Sequence, residues 1–152
     1  MRRLLILLLS VVLLAAAGPA AATTGRVIKV LPQFLDLQGR NLLSPSLYDR
    51  DAYQAQLRKH PEQRSALCFN VQWRARSANP TLKLRVELRG IATGNLPRQA
   101  ALEMTVNPGG FSRWTRLTLA GDEFKNFGDL TSWRATLWDG DQMVAEQKSF
   151  LW

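Results

Sequence analysis

Cysteine and histidine are almost missing: the 152 residues hold one of each, Cys68 and His60. A lone cysteine closes no internal disulfide, so stability has to come from packing, or Cys68 has to pair between chains. One thiol and one imidazole supply a zinc centre poorly, and no phosphate-cradling glycine loop, nucleophile elbow or zincin helix is spelled anywhere in the chain. Long apolar runs are just as scarce. One stands at the start, Leu4 to Ala17, and no second follows, which leaves no further candidate for a membrane span of about 20 residues. Acidic side chains are outnumbered, 12 against 20 lysines and arginines, for a formal net charge of +8.

The opening MRRLLILLLSVVLLAAAGPAAA sets two arginines before the apolar run, a Gly18-Pro19 break, and then small residues. That pattern reads as a secretory signal peptide over residues 1–22 with cleavage after Ala22; a retained anchor is the alternative. A lipoprotein needs a cysteine at the cut, and Cys68 lies far beyond it. The expected mature chain, Thr23 to Trp152, is then a single domain carrying +6 once Arg2 and Arg3 are gone. Such a charge suits anionic envelope polymers, and export to the periplasm or outside the cell argues against nucleic acid as the partner. After cleavage, no membrane span is expected.

Beyond the leader the dominant period is two. RVIKVLPQFLDLQGR is β-branched and apolar but interrupted by Pro32, which predicts an edge strand in two pieces. LYDRDAYQAQLRKHP predicts a helix of three turns capped by Asp49, with Tyr48 and Tyr53 as a staple, closing charges Arg58, Lys59 and His60, and Pro61 as the stop. LCFNVQW alternates Leu67, Phe69, Val71 and Trp73 against Cys68, Asn70 and Gln72, and TLKLRVELRG alternates Leu82, Leu84, Val86 and Leu88 against charges; with the turn Ser77-Ala78-Asn79-Pro80 between them they read as a hairpin. ALEMTV, WTRLTLAG and the stretch with Trp133, Ala135 and Leu137 continue the alternation. Around Asp139-Gly140-Asp141 a three-residue loop is expected to set Leu137 opposite Met143, Ala135 opposite Ala145 and Arg134 opposite Glu146.

The sum is an all-β chain, an antiparallel β-sandwich of about seven strands with one short helix inserted between the first and second. It resembles immunoglobulin-like and fibronectin type III-like sandwiches, most specifically in LTSWRATLWDGDQMVAEQ, which looks like the last two strands of that class with Trp133 near its corner tyrosine. No cysteine pair brackets Trp73, and the helical insertion departs from the pattern. Because many functions share the architecture, the resemblance implies a fold and no activity.

Catalytic chemistry has few candidates. His60 and Cys68 form one thin pairing, and His60 reads more simply as a helix end. Asp139 and Asp141 flank a turn glycine, where turn chemistry explains them without calcium. The expectation is a non-enzymatic protein with no cofactor and no metal. Tryptophan beside arginine recurs instead, in Trp73-Arg74-Ala75-Arg76, Arg113-Trp114-Thr115-Arg116 and Trp133-Arg134. Trp114 and Trp138 fall on the polar parity of their strands, so Trp114, Trp138, Arg113, Arg116 and Arg134 are the candidate ligand-binding residues for a carbohydrate or anionic glycan.

The chain closes on Phe150-Leu151-Trp152. Strand parity turns Phe150 and Trp152 outward. A bulge between Gln147 and Ser149 would bury both, worth about 2 to 3 kcal/mol each. The alternative leaves Phe150, Leu151 and Trp152 as a sticky edge for a protein partner or a second copy. The terminal aromatic also resembles the closing signature of outer-membrane barrels, but Glu146 and Lys148 occupy positions that are apolar there. The leading functional expectation is therefore an envelope or extracellular protein-interaction module, with glycan binding as the alternative.

Overall fold

The alternating stretches become strands. The computed structural model describes residues 22–152, so the expected signal peptide over residues 1–22, apart from Ala22, lies outside the described residues. In chain order these form β1 (Thr24–Asp36), α1 (Leu47–Lys59), β2 (Arg64–Arg76), β3 (Leu82–Ala92), β4 (Leu96–Val106), β5 (Arg113–Ala120), α2 (Gly121–Phe127), β6 (Asp129–Asp139) and β7 (Gln142–Lys148), with a single 3-10 turn at Pro61–Gln63. Two antiparallel sheets result, one ordered β1-β2-β5 and the other β4-β3-β6-β7. The arrangement is a mostly β sandwich compatible with an immunoglobulin-like architecture.

The core lies between the sheets because each central strand has one apolar face. Leu67, Phe69, Val71 and Trp73 of β2 look across at Leu82, Leu84, Val86 and Leu88 of β3, joined by Leu117 and Leu119 of β5 and Ala135 and Leu137 of β6, all of them buried. Each large side chain contributes about 1.5 to 3 kcal/mol through burial. The one polar atom of Trp73 is satisfied, its Nε1 donating to Thr115 Oγ1 at 2.9 Å.

β2 and β3 are not a hairpin. Their link crosses from one sheet to the other, so that β2 pairs with β1 and β5 while β3 pairs with β4 and β6. A hairpin would put both apolar faces on one side of one sheet; the crossing turns them toward each other. β1 is an edge strand, but it runs unbroken through Pro32, opposite Phe69, and its irregularities fall to either side, at a bulge between Val27 and Lys29 and a register shift between Leu35 and Asp36.

α1 starts one turn earlier than its charges suggest: Ser46 is the cap, its Oγ accepting from the N–H of Asp49 at 3.4 Å. Tyr48 is exposed and forms no staple, whereas the Tyr53 hydroxyl donates to Asp36 Oδ2 at 2.6 Å. The helix lies along the free edge of β1. Gln54 takes the Phe34 N–H at 2.8 Å and donates to the Phe34 carbonyl at 3.0 Å, satisfying an edge that would otherwise face water. α2 occupies the connection after β5 and brings Phe127 into the core. Gly128, at φ 81°, ends it where an added Cβ would sit 2.1 Å from the Ile91 carbonyl oxygen.

The last hairpin also differs from the expected register. Its loop has two residues, with Asp139 opposite Gln142, and Val144 is the bulge that sets Leu137 opposite Ala145. Arg134 and Glu146 still meet, diagonally, at 2.6 Å. With the bulge spent there, none remains near Gln147 to bury the tail. The chain leaves the sheet at Ser149, whose N–H donates to the Trp133 carbonyl at 2.9 Å, and a turn bonded from the Trp152 N–H to the Ser149 carbonyl folds Trp152 back. Phe150 is fully exposed at its apex, Leu151 is 70% exposed, and only Trp152 is half-buried.

Candidate functional site

The five ligand-binding candidates do not share a surface. Trp114 and Arg116 lie on the outer face of the three-stranded sheet, opposite Gln72 and Asn70 of β2. Trp138 and Arg134 lie on the outer face of the other sheet, opposite Lys83 and Glu87 of β3. Arg113, at the start of β5, donates from Nη1 to the Asn107 carbonyl at 3.1 Å and ties down the β4–β5 turn. Alternation told outward from inward at these positions, but two sheets have two outer faces, and parity does not choose between them.

At the centre of the four-stranded sheet the charges are paired, while Arg89 and Lys148 on the same face have no carboxylate partner among the described residues. Lys83 and Arg85 both reach Glu103, at 3.5 and 3.4 Å; Arg85 also meets Glu87 at 3.2 Å; and Arg134 bridges Glu87 and Glu146 at 3.7 and 2.6 Å. Trp138 is half-buried with its Nε1 donated to Thr136 Oγ1 at 2.8 Å, so little of the indole is free. Further along this face the Arg89 guanidinium sits 4.0 Å from the Trp152 ring centroid, a stacking contact worth about 0.5 to 1 kcal/mol.

The three-stranded sheet is different. Its register sets Arg26 directly opposite Arg74, Thr24 opposite Arg76, Lys29 opposite Gln72 and Trp114, and Leu31 opposite Asn70 and Arg116. Arg26, Lys29, Arg74, Arg76 and Arg116 are all exposed, and among the described residues none of the five has a carboxylate partner. Between and beside them runs a chain of amides. Arg116 Nε donates to Asn70 Oδ1 at 3.1 Å, Asn70 and Asn41 each donate to Gln33 Oε1 at 2.8 Å, and Gln72 Nε2 donates to Ser112 Oγ at 2.8 Å. Trp114, 53% exposed, offers its ring beside Gln72. The surface can therefore meet negative charge with guanidinium and ammonium donors, and a flat ring face with indole.

Arg26 and Lys29 escape a reading of the sequence for a definite reason. At a spacing of three they belong to opposite faces of a regular strand. The bulge between Val27 and Lys29 turns both outward. Arg74 and Arg76 show outward parity in the sequence, but only the pairing with β1 reveals that they face a further arginine.

The groups weighed for catalysis lie apart. Cys68 is completely buried in a small cluster with Leu35 and Ala66, and burial pushes its thiol above the ordinary range against the pull of Arg116. His60 is exposed at the end of α1, 3.1 Å from Glu62. Asp139 accepts hydrogen bonds from the side chains of Thr23, Asn79 and Ser77, which hold its carboxyl below the usual range and tie the final turn to the start of β1 and the β2–β3 link. Asp36 is buried, which works to raise its pKa, but bonds from Tyr53, Arg40 and Gln38 overcome that and hold it at about 2. Among the described residues no three His, Cys, Asp or Glu side chains converge as metal ligands, and no helix is long and apolar enough to cross a membrane.

Set against protein-family models, curated proteins and solved structures, the chain matches none of them.

Proposed function

We propose that this protein is an exported, non-enzymatic binding module of the cell envelope or extracellular space, and that it holds an anionic polymer, an acidic glycan, on the outer face of β1-β2-β5. The observation that carries this reading is the set of exposed, unpaired Arg26, Lys29, Arg74, Arg76 and Arg116 in adjoining rows beside exposed Trp114. Like charges set opposite one another destabilise a sheet. On the other sheet the central cations meet glutamates, whereas here five cations in adjoining rows have no carboxylate among the described residues, and a bound anion would relieve their repulsion. A polyanion would also profit from its repeat, because each released counterion adds to the binding and makes it salt-dependent.

The test is retention of the purified protein on dextran sulfate against neutral dextran, across a salt series. Lys29→Gln with Arg116→Gln is expected to weaken binding to dextran sulfate about tenfold or more. Lys59→Gln with Lys148→Gln, which removes the same charge elsewhere, is expected to leave it nearly unchanged. Equal losses from the two pairs would mean that net charge alone is at work and would sink the reading.

A second reading rests on a separate observation, the full exposure of Phe150 with Leu151 beside it. Apolar side chains held out at a terminus suit a protein partner or a second copy of this chain. Sedimentation of the protein with and without its last three residues tests this: a salt-insensitive oligomer lost on truncation supports it, and a monomer with no partner in either form counts against it.

A further inference from the structure

Within the cationic face the charges are not evenly spread. Arg26 and Arg74 are direct cross-strand partners, and Arg76 follows two residues along on the same side of β2. Opposed residues of an antiparallel pair hold their Cβ atoms about 4.5 to 5.5 Å apart, and the next position on the same face lies about 7 Å away. Three guanidinium groups are therefore based within one side-chain length of a common point. None has a carboxylate or a side-chain hydrogen bond among the described residues. They line a groove of about 510 Å³ with Thr24, Gly25, Ala75 and Gly110.

The far wall of the groove is held in place. The Gly110 N–H donates to the Ala75 carbonyl at 2.9 Å, which docks the β4–β5 turn against the end of β2. Gly110 has φ 73°, a backbone conformation that favours glycine, and it lies against the Arg76 side chain at ordinary contact distance. Around Arg76 the groove runs into a second of about 340 Å³ formed with Ser77, Pro108, Gly109 and Phe111. Phe111 is 83% exposed there, an aromatic face in the groove it shares with Arg76.

We infer that this groove is a discrete subsite for a tetrahedral oxyanion ester on a saccharide, with Arg26, Arg74 and Arg76 on the ester oxygens and Phe111 against the sugar ring. The inference rests on the proposed anionic-polymer reading and narrows it. A carboxylate presents two oxygens to three guanidinium forks. A sulfate or phosphate ester presents three terminal oxygens and accepts several donors at once. Phe111 gives the neutral part of such a ligand a surface that a bare ion would not use.

Sulfate and phosphate esters share the chemistry the groove recognises, so the experiment carries both. Dextran sulfate, phosphorylated mannan and polygalacturonate, matched for chain length and charge density, are titrated into the purified protein calorimetrically at fixed ionic strength. Arg74→Gln is expected to weaken whichever ester polymer binds by about tenfold or more, and Lys29→Gln, on the same face but outside the groove, by several-fold less. Phe111→Ala is expected to weaken both ester polymers while leaving the affinity for inorganic sulfate and phosphate unchanged. Tighter binding of dextran sulfate or of phosphorylated mannan names the ester. If polygalacturonate binds as well as the esters, or Arg74→Gln and Lys29→Gln cost the same, the subsite is refuted while the cationic face stands. If none of the three polymers binds, the parent reading fails with it. Thermal unfolding of each variant guards against loss of fold; Arg26→Gln, also on the exposed rim, repeats the test should Arg74→Gln prove unstable.

Discussion

Removing Phe150, Leu151 and Trp152 separates a tail that belongs to the core from one that merely rests on the sheet. Phe150 is fully exposed and has no burial to lose, and Leu151, at 70% exposure, has little. The cost falls on Trp152, whose half-buried ring lies 4.0 Å from the Arg89 guanidinium. A tryptophan buries roughly 150 to 250 Å² when fully enclosed; about two-thirds of that at about 25 cal/mol per Å² is about 2.5 to 4 kcal/mol. Stacking adds about 0.5 to 1 kcal/mol, and ordering the tail, at about 1 to 2 kcal/mol per residue fixed, takes back more than that. Truncation after Ser149 should thus lower stability by about 2 kcal/mol, read from urea denaturation followed by tryptophan fluorescence, and lower Tm by roughly 5 to 10 °C. Phe150→Ser alone should change nothing measurable. A double-mutant cycle between Arg89→Ala and Trp152→Leu should return a coupling of about 0.5 to 1 kcal/mol. A loss of more than about 4 kcal/mol on truncation would show both aromatics to be enclosed, and a coupling of zero would remove Trp152 from Arg89.

Other perturbations probe the frame around the two faces. Gly128→Ala should cost about 3 kcal/mol or more, since positive φ and a contact of 2.1 Å with the Ile91 carbonyl act together, whereas Gly140→Ala, at φ 57° with open space around it, should cost about 1 kcal/mol; equal costs in denaturant melts would remove the steric account. Asp36 is held at about 2 against 3.8 for the free side chain, so it contributes stability above pH 3.8 that is lost as the pH falls through about 2. The contribution is at most about 2 kcal/mol, and Asp36→Asn should flatten the acid limb of the stability curve; an unchanged limb would refute it. Cys68, enclosed and with its thiol pushed up, should react with an aromatic disulfide reagent only as fast as the protein opens, so a fast native reaction at neutral pH would place it elsewhere.

How far a sequence speaks depends on what each pattern constrains. Alternation along β2, β3, β5 and β6 fixed their inward faces because each is half-buried, and one short helix between the first two strands was legible from its charges and Pro61. Alternation says nothing of partners. The same pattern serves a hairpin or a crossing link, and the Ser77-to-Pro80 turn is compatible with both, which is why β2 and β3 parted into different sheets. Bulges are the second blind spot. One extra residue at Ile28 and another at Val144 move side chains between faces without any mark in composition. Two turns of helix at α2 are too short to declare a period. On the candidate site the outcome is mixed for the same causes: Trp114 and Arg116 could be placed outward, but their neighbours Arg26 and Lys29 come from a distant strand through a bulge, and Trp138 and Arg134 belong to the opposite surface.

The opposition of those two surfaces has a geometric consequence. Sheets packed about 10 Å apart make a slab with two distinct sides. The side bearing the unpaired cations is β1-β2-β5, while on the reverse Trp152 lies against Arg89 of β3, with Leu151 and Phe150 exposed beside it. A molecule adsorbed on an acidic matrix through its arginines would lie in one orientation only. Its hydrophobic terminus would then face away from that matrix, displayed at a fixed height where anything else that arrives must meet it first.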